Sequence, residues 1–88
     1  MKDILYADDV KKAVNKNHIS YWEFSKCSLG GVGYGFYFND DQVIFDGSCG
    51  CCSLNDERLT NYQEIADIYN RNKDIDFRER FINFFEIS

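Results

Sequence analysis

The sequence predicts an α+β domain of order αβββαα, a small two-layer arrangement with helices at both ends of the chain and an antiparallel three-stranded meander between them. Three observations carry that expectation. Apolar residues recur at helical spacing only near the two ends, aromatic residues alternate with other residues in the middle, and 88 residues suit a single domain spanning 1–88. Strands that follow one another without intervening helices exclude a parallel doubly wound sheet.

The first helix is expected from a cap at Asp8 or Asp9 to about Asn15, with Val10, Ala13 and Val14 as its apolar stripe and Lys11, Lys12 and Lys16 toward water. Residues 18–26 are rich in β-formers. Their alternation changes phase between Tyr21 and Trp22, which predicts a bulge or a strand contacted on both faces. Tyr34, Phe36 and Phe38 then alternate with Gly35 and Tyr37, and residues 43–47 follow the acidic turn Asn39-Asp40-Asp41, so the pair reads as a β-hairpin. Phe36, Phe38 and Phe45 would face the core, while Gly33 and Gly35 leave the other face bare and open to close approach. Thr60-Asn61-Tyr62-Gln63 has capping-box spacing, and Tyr62, Ile65, Ala66 and Tyr69 recur at i, i+3, i+4 and i+7, predicting a helix over 61–71. Asp76-Phe77-Arg78-Glu79 repeats the capping logic before a stripe of Phe77, Phe81, Phe84 and Phe85, predicting a last helix over 77–86.

Composition narrows the function classes. Hydrophobic residues at 44% and aromatics at 17% exclude a disordered chain. No apolar run reaches the length of a membrane span, and Met1-Lys2-Asp3 is not followed by the apolar run of a signal peptide, so the expected address is the cytoplasm and no membrane partner is expected. The net charge of −5 argues against binding a polynucleotide, which needs clustered Lys and Arg. That deficit is local: residues 1–26 carry +1, residues 58–88 carry −1, and residues 27–57, with Asp40, Asp41, Asp46, Asp56 and Glu57 but no Lys or Arg, carry −5.

Four cysteines invite a zinc reading, with Cys27, Cys49 and Cys51 as ligands and His18 as a possible fourth. The spacing is poor for it, because there is no C-x-x-C pair and the adjacent Cys51 and Cys52 tend to point in different directions. A thiol nucleophile activated by His18 has no visible third partner. Neither a metal, another cofactor nor catalysis is therefore expected, and paired Asp40-Asp41 suits a turn for backbone reasons alone.

Binding chemistry has more candidates. Gly30, Gly31 and Gly33 would let backbone N–H groups approach a phosphate, although they match no phosphate-loop pattern. The helix start near Thr60, approached by residues 48–55 and preceded by Arg58, is a second place for an anion. Trp22, Tyr21, Tyr34 and Tyr37 exceed what the core stripes accommodate, and aromatic rings stack on bases without needing a basic patch. The same rings would equally serve packing or a dimer interface.

Residues 43–51, Val-Ile-Phe-Asp-Gly-Ser-Cys-Gly-Cys, and residues 62–70, Tyr-Gln-Glu-Ile-Ala-Asp-Ile-Tyr-Asn, resemble a group of small phage-encoded proteins. That group combines an aromatic-Asp-x-Ser-Cys-x-Cys strand end with a helix of the W-E-x-x-A-x-x-x-N kind. This chain has Tyr62 in place of the Trp, Gln63 in place of the Glu, and an additional Cys52. The resemblance implies a phage accessory protein in the host bacterial cytoplasm, of a kind that often antagonises bacterial immunity. One such strategy is a sponge, an oligomer that sequesters a nucleotide-derived signal, such as a cyclic nucleotide or an ADP-ribose derivative, without catalysis.

On that reading Gly30, Gly31, Gly33 and Tyr34 shape one wall, Trp22 or Tyr62 stacks the base, and Ser48, Cys49, Gly50 and Arg58 face phosphates. The chain would act as a homodimer or higher oligomer. The alternative is an acidic inhibitor directed at a host defence protein, comparable to an anti-CRISPR protein, acting through Asp40, Asp41, Asp46, Asp56 and Glu57.

Overall fold

A computed structural model of the chain describes residues 2–25, 34–47 and 57–87. The order is α1 (Ala7–Asn17), β1 (Tyr21–Ser25), β2 (Tyr34–Asn39), β3 (Gln42–Asp46), β4 (Glu57–Thr60), α2 (Tyr62–Arg71) and α3 (Ile75–Phe85). The α+β class holds, but the sheet has four strands rather than three. They form one antiparallel sheet in the order β1-β2-β3-β4. The extra strand escapes a reading of hydropathy because Glu57-Arg58-Leu59-Thr60 holds one apolar residue and owes its structure to pairing with β3. None of these helices is long and apolar enough to cross a membrane. By contacts the chain divides into two compact units, one of helices (Met1–Ile19 with Asn61–Ser88) and one of sheet (Ser20–Thr60).

In the helical unit, α1 begins one turn earlier than its aspartates suggest. Tyr6 occupies the N-cap, and Asp9, three residues in, accepts a hydrogen bond from the Tyr6 N–H at 2.9 Å. The helix closes at His18, whose left-handed backbone (φ 53°) directs its N–H to the Val14 carbonyl. The cap of α2 is Asn61 rather than Thr60, since Thr60 pairs with Val43 in β4 and the Asn61 side chain accepts from the Glu64 N–H at 3.1 Å. The α3 cap is Asp74 rather than Asp76, accepting from the Asp76 N–H at 3.1 Å.

The core of this unit follows the predicted stripes. Val10, Ala13 and Val14 of α1, Tyr62, Ile65, Ala66 and Tyr69 of α2, and Phe81 and Phe85 of α3 are buried. Ring contacts run from Tyr69 to Phe81 (5.1 Å), and from Phe77 through Phe81 to Phe85 (6.4 and 4.7 Å). Phe84 departs from its expected place and is 44% exposed, meeting Phe85 edge-on.

The segment before α1 is tied down by side chains of α2 and α3. Asn70 accepts from the Leu5 N–H at 2.8 Å and donates to the Leu5 carbonyl at 2.9 Å. The Tyr69 hydroxyl donates to the Lys2 carbonyl. Arg78 lies 4.4 Å over the Tyr69 ring and donates to the carbonyls of Asn72 (2.8 Å) and Asp3 (3.1 Å). At the far end of α1, Asn17 donates to the carbonyls of Ala13 and Phe85, both at 3.0 Å.

In the sheet unit, β2 and β3 meet in the two-residue turn Asp40-Asp41, between the paired Asn39 and Gln42. Both aspartates have positive φ, 45° and 68°, as a type I′ turn demands. The irregularity of β1 falls between Glu23 and Ser25, two residues beyond the expected phase change. Alternation and register divide the described side chains between two faces. The first carries Trp22, Tyr34, Phe36, Phe38, Val43, Phe45, Arg58 and Thr60; the second carries Tyr21, Glu23, Tyr37, Ile44, Asp46, Glu57 and Leu59. Burial is concentrated on the first, where Trp22, Phe36 and Val43 are at most 6% exposed.

Candidate functional site

An antiparallel meander brings alternate connections to one end, and here the end of β1, the start of β2, the end of β3 and the start of β4 coincide. On the first face at this end three side chains form an array. Phe45 and Arg58 stand directly opposite each other in register, and Tyr34 lies diagonally across from Phe45, next to its partner Phe36. The Arg58 guanidinium lies 4.8 Å over the Phe45 ring, and Tyr34 stacks nearly parallel with the same ring at 6.2 Å and 11°. Gly47 sits beneath both rings. A Cβ there would come within 2.9 Å of the Phe45 ring and 3.2 Å of the Tyr34 ring, so the array closes over bare backbone.

Tyr34 and Arg58, two of the residues expected to bind a ligand, are thus joined through Phe45, which sequence reading assigned wholly to the core. Its signal was the hairpin register, from which Phe45 follows as the cross-strand partner of Phe36. Arg58 holds its position as a strand residue and not as the residue leading into a helix.

Trp22 and Tyr62 are placed differently. Trp22 is 6% exposed and stacked on Phe36 at 5.9 Å and 13°. Tyr62 is 9% exposed in the helical unit. Neither presents an open ring to a base. Gly30, Gly31, Gly33, Ser48, Cys49 and Gly50 lie outside the described residues, as do Cys27, Cys51 and Cys52. His18 is the exposed C-cap of α1. Among the described residues no group of three or more His, Cys, Asp or Glu is arranged to hold a metal ion.

The bare backbone expected at Gly35 is already covered. The Tyr21 ring lies over it, and an added Cβ would sit 2.7 Å from the Tyr21 Cε1. Tyr21 also packs on Tyr37 at 4.6 Å. Burial, then the neighbouring Glu23, Tyr37 and Asp46, push its phenol above the ordinary 10.0, because each disfavours a phenolate.

The second face is organised in rows. Tyr21, Tyr37, Ile44 and Leu59 oppose one another successively across all four strands, and the next row holds Glu23, Gly35, Asp46 and Glu57. Tyr37 and Leu59 are 44% and 68% exposed. Leu59 went unnoticed as a surface residue because its strand did.

In the helical unit a cavity of about 180 Å³ runs along α1, lined by Lys2, Asp9, Lys12, Ala13, Lys16, Glu86 and Ile87. It is smaller than the ~300 to 1,000 Å³ of ordinary small-molecule sites, Lys2 pairs with Asp9 across 3.6 Å, and none of the expected ligand residues lines it. The helix that resembles the phage motif serves the fold of this unit: Ala66 and Tyr62 are core, and Asn70 clamps Leu5. No protein-family model, curated protein or solved structure matches this chain.

Proposed function

We propose that this chain binds a small nucleotide-type ligand and holds it without transforming it, as a phage-encoded, homo-oligomeric sequestering protein of the host bacterial cytoplasm. One observation carries the reading: the array of Tyr34, Phe45 and Arg58 at the end of the sheet. A nucleotide combines a flat π surface with anionic phosphate. An aromatic platform takes the first, at ~1 to 3 kcal/mol per stacked base. A guanidinium takes the second, and Arg58 holds its own 4.8 Å over the Phe45 ring, on the same face as Tyr34. The resemblance of residues 43–51 and 62–70 to small phage proteins supplies the biological setting, a nucleotide-derived immune signal removed by capture. Of the expected ligand residues, Tyr34 and Arg58 keep their roles, Phe45 joins them, and Trp22 and Tyr62 are released to the core.

Native mass spectrometry of the purified chain mixed with cyclic dinucleotides and ADP-ribose derivatives tests this directly. A retained adduct that is released unchanged on denaturation supports capture, and release of a cleaved product refutes it. Arg58→Ala is expected to weaken the bound nucleotide about tenfold and to flatten the salt dependence of binding, while Asp40→Ala, at the opposite end of the hairpin, leaves affinity unchanged. Equal losses from both variants would remove the site from the array.

A further inference from the structure

The second face of the sheet carries a separate inference that does not rest on nucleotide binding. Tyr21, Tyr37, Ile44 and Leu59 form an unbroken apolar row, one residue from each strand. At ~4.8 Å per strand spacing it extends about 14 Å. Its exposure is substantial, with Tyr37 44% and Leu59 68% accessible. The flanking row, about 7 Å away along the strands, is acidic. Within it Asp46 and Glu57 stand directly opposite each other, a like-charge pairing that disfavours the sheet.

The charge of the sheet unit is predominantly negative. Residues 20–60 hold six acidic side chains against two basic ones, a net of −4 out of −5 for the whole chain. The described base among them, Arg58, lies on the first face over Phe45. Asp40 and Asp41 add negative charge at the hairpin tip.

We propose that this face is a docking surface for a partner protein presenting an apolar stripe bordered along one side by Lys or Arg. Charge complementarity selects the occupant. An anionic lipid surface or a nucleic acid would be repelled, and a second copy of this chain offers the acidic row no Lys or Arg among the described residues of this face. A basic partner instead places its apolar stripe on Tyr37, Ile44 and Leu59 and its cations beside Asp46 and Glu57. Aromatic and aliphatic anchors rimmed by complementary charge are the usual anatomy of a specific interface.

Selection of the full chain against a displayed library of random short peptides tests the assignment. The expected winners combine large apolar residues with Lys or Arg. Their synthetic copies should bind about tenfold more weakly to Leu59→Lys, more weakly to Glu57→Lys in a salt-dependent way, and equally to Arg58→Ala. Leu59 is exposed, so Leu59→Met serves as the conservative control that retains binding, and thermal melts of each variant confirm an intact fold. Enrichment of neutral or acidic peptides, no enrichment at all, or indifference to Leu59→Lys would overturn the proposal. So would a dimer in sedimentation that Leu59→Lys abolishes, since the face would then be occupied by a second copy. Because Arg58→Ala is neutral here and damaging to nucleotide capture, the two sites fail independently.

Discussion

Asn70 illustrates how a residue can belong to a motif and still do structural work. Its amide both accepts from and donates to the backbone of Leu5, 65 positions earlier, in the manner of one rung of a β-ladder. Removing a side chain that satisfies two part-buried backbone groups costs about 1 to 3 kcal/mol. Asn70→Ala should accordingly lower the thermal midpoint by roughly 4 °C or more, measured by circular dichroism. Asn70→Asp should recover little, because a carboxylate can accept from the Leu5 N–H but cannot donate to its carbonyl.

Tyr21 supplies a pH signature at the same scale. Its phenol is held above the ordinary 10.0, so the folded state prefers it neutral. The corresponding contribution to stability is fully present below the unfolded value and is lost as pH rises through the folded one. Ultraviolet titration of the chain against Tyr21→Phe should reveal one tyrosine ionising later than its unperturbed value. Asp46→Asn should bring that ionisation to lower pH.

Among elements, the β2–β3 hairpin was the most legible, since aromatic alternation and an Asn-Asp-Asp turn both pointed to it. What the letters did not show is that both aspartates adopt left-handed backbone. Asp41→Gly, at φ 68°, should stabilise the chain by about 0.5 to 1 kcal/mol in denaturant melts, as expected for a type I′ turn that favours Gly at its second central position. The helices were legible in their apolar stripes, and their caps were displaced by one to three residues, because adjacent Asp, Asn and Thr residues compete as caps of α2 and α3 and Tyr6 takes the cap of α1. Asn61 prevailed over Thr60 because Thr60 is paired with Val43.

β4 was illegible for the opposite reason. An edge strand of four residues with a single apolar side chain has no local signature, and only its partner β3 defines it. With β4 missed, the row ending in Leu59 could not be assembled, nor could the opposition of Arg58 and Phe45. Two of the three residues of the candidate array, Tyr34 and Arg58, were among the ligand residues expected from the sequence, Tyr34 as a surplus aromatic and Arg58 as a cation before a helix start. The error at Trp22 has a physical source, since a Trp in an alternating strand gives no indication of which face will be covered.

For the whole molecule, charge and architecture divide together. The sheet unit carries −4 while the helical unit carries the remaining −1. The acidic balance that argues against polynucleotide partners is therefore concentrated in one unit, and the lysines of α1 lie in the other. A whole-chain isoelectric point conceals that difference, and interactions of the two units with charged partners should respond differently to salt.

The helical unit is discontinuous, built from residues on both sides of the sheet unit. Its ties are correspondingly remote: Leu5 to Asn70, Asn17 to Phe85 and Asp3 to Arg78. The sheet, in contrast, closes by successive neighbouring strands. Emerging from a ribosome, the β2–β3 hairpin can pair as soon as it is made, on the order of microseconds. α1, synthesised earlier, lacks α2 and α3, against which it packs, until they appear, and a helix of 11 residues is marginal alone in water. The first helix to be translated is thus among the last to become stable, and the apolar stripe of Val10, Ala13 and Val14 lacks the cover of α2 and α3 throughout that interval.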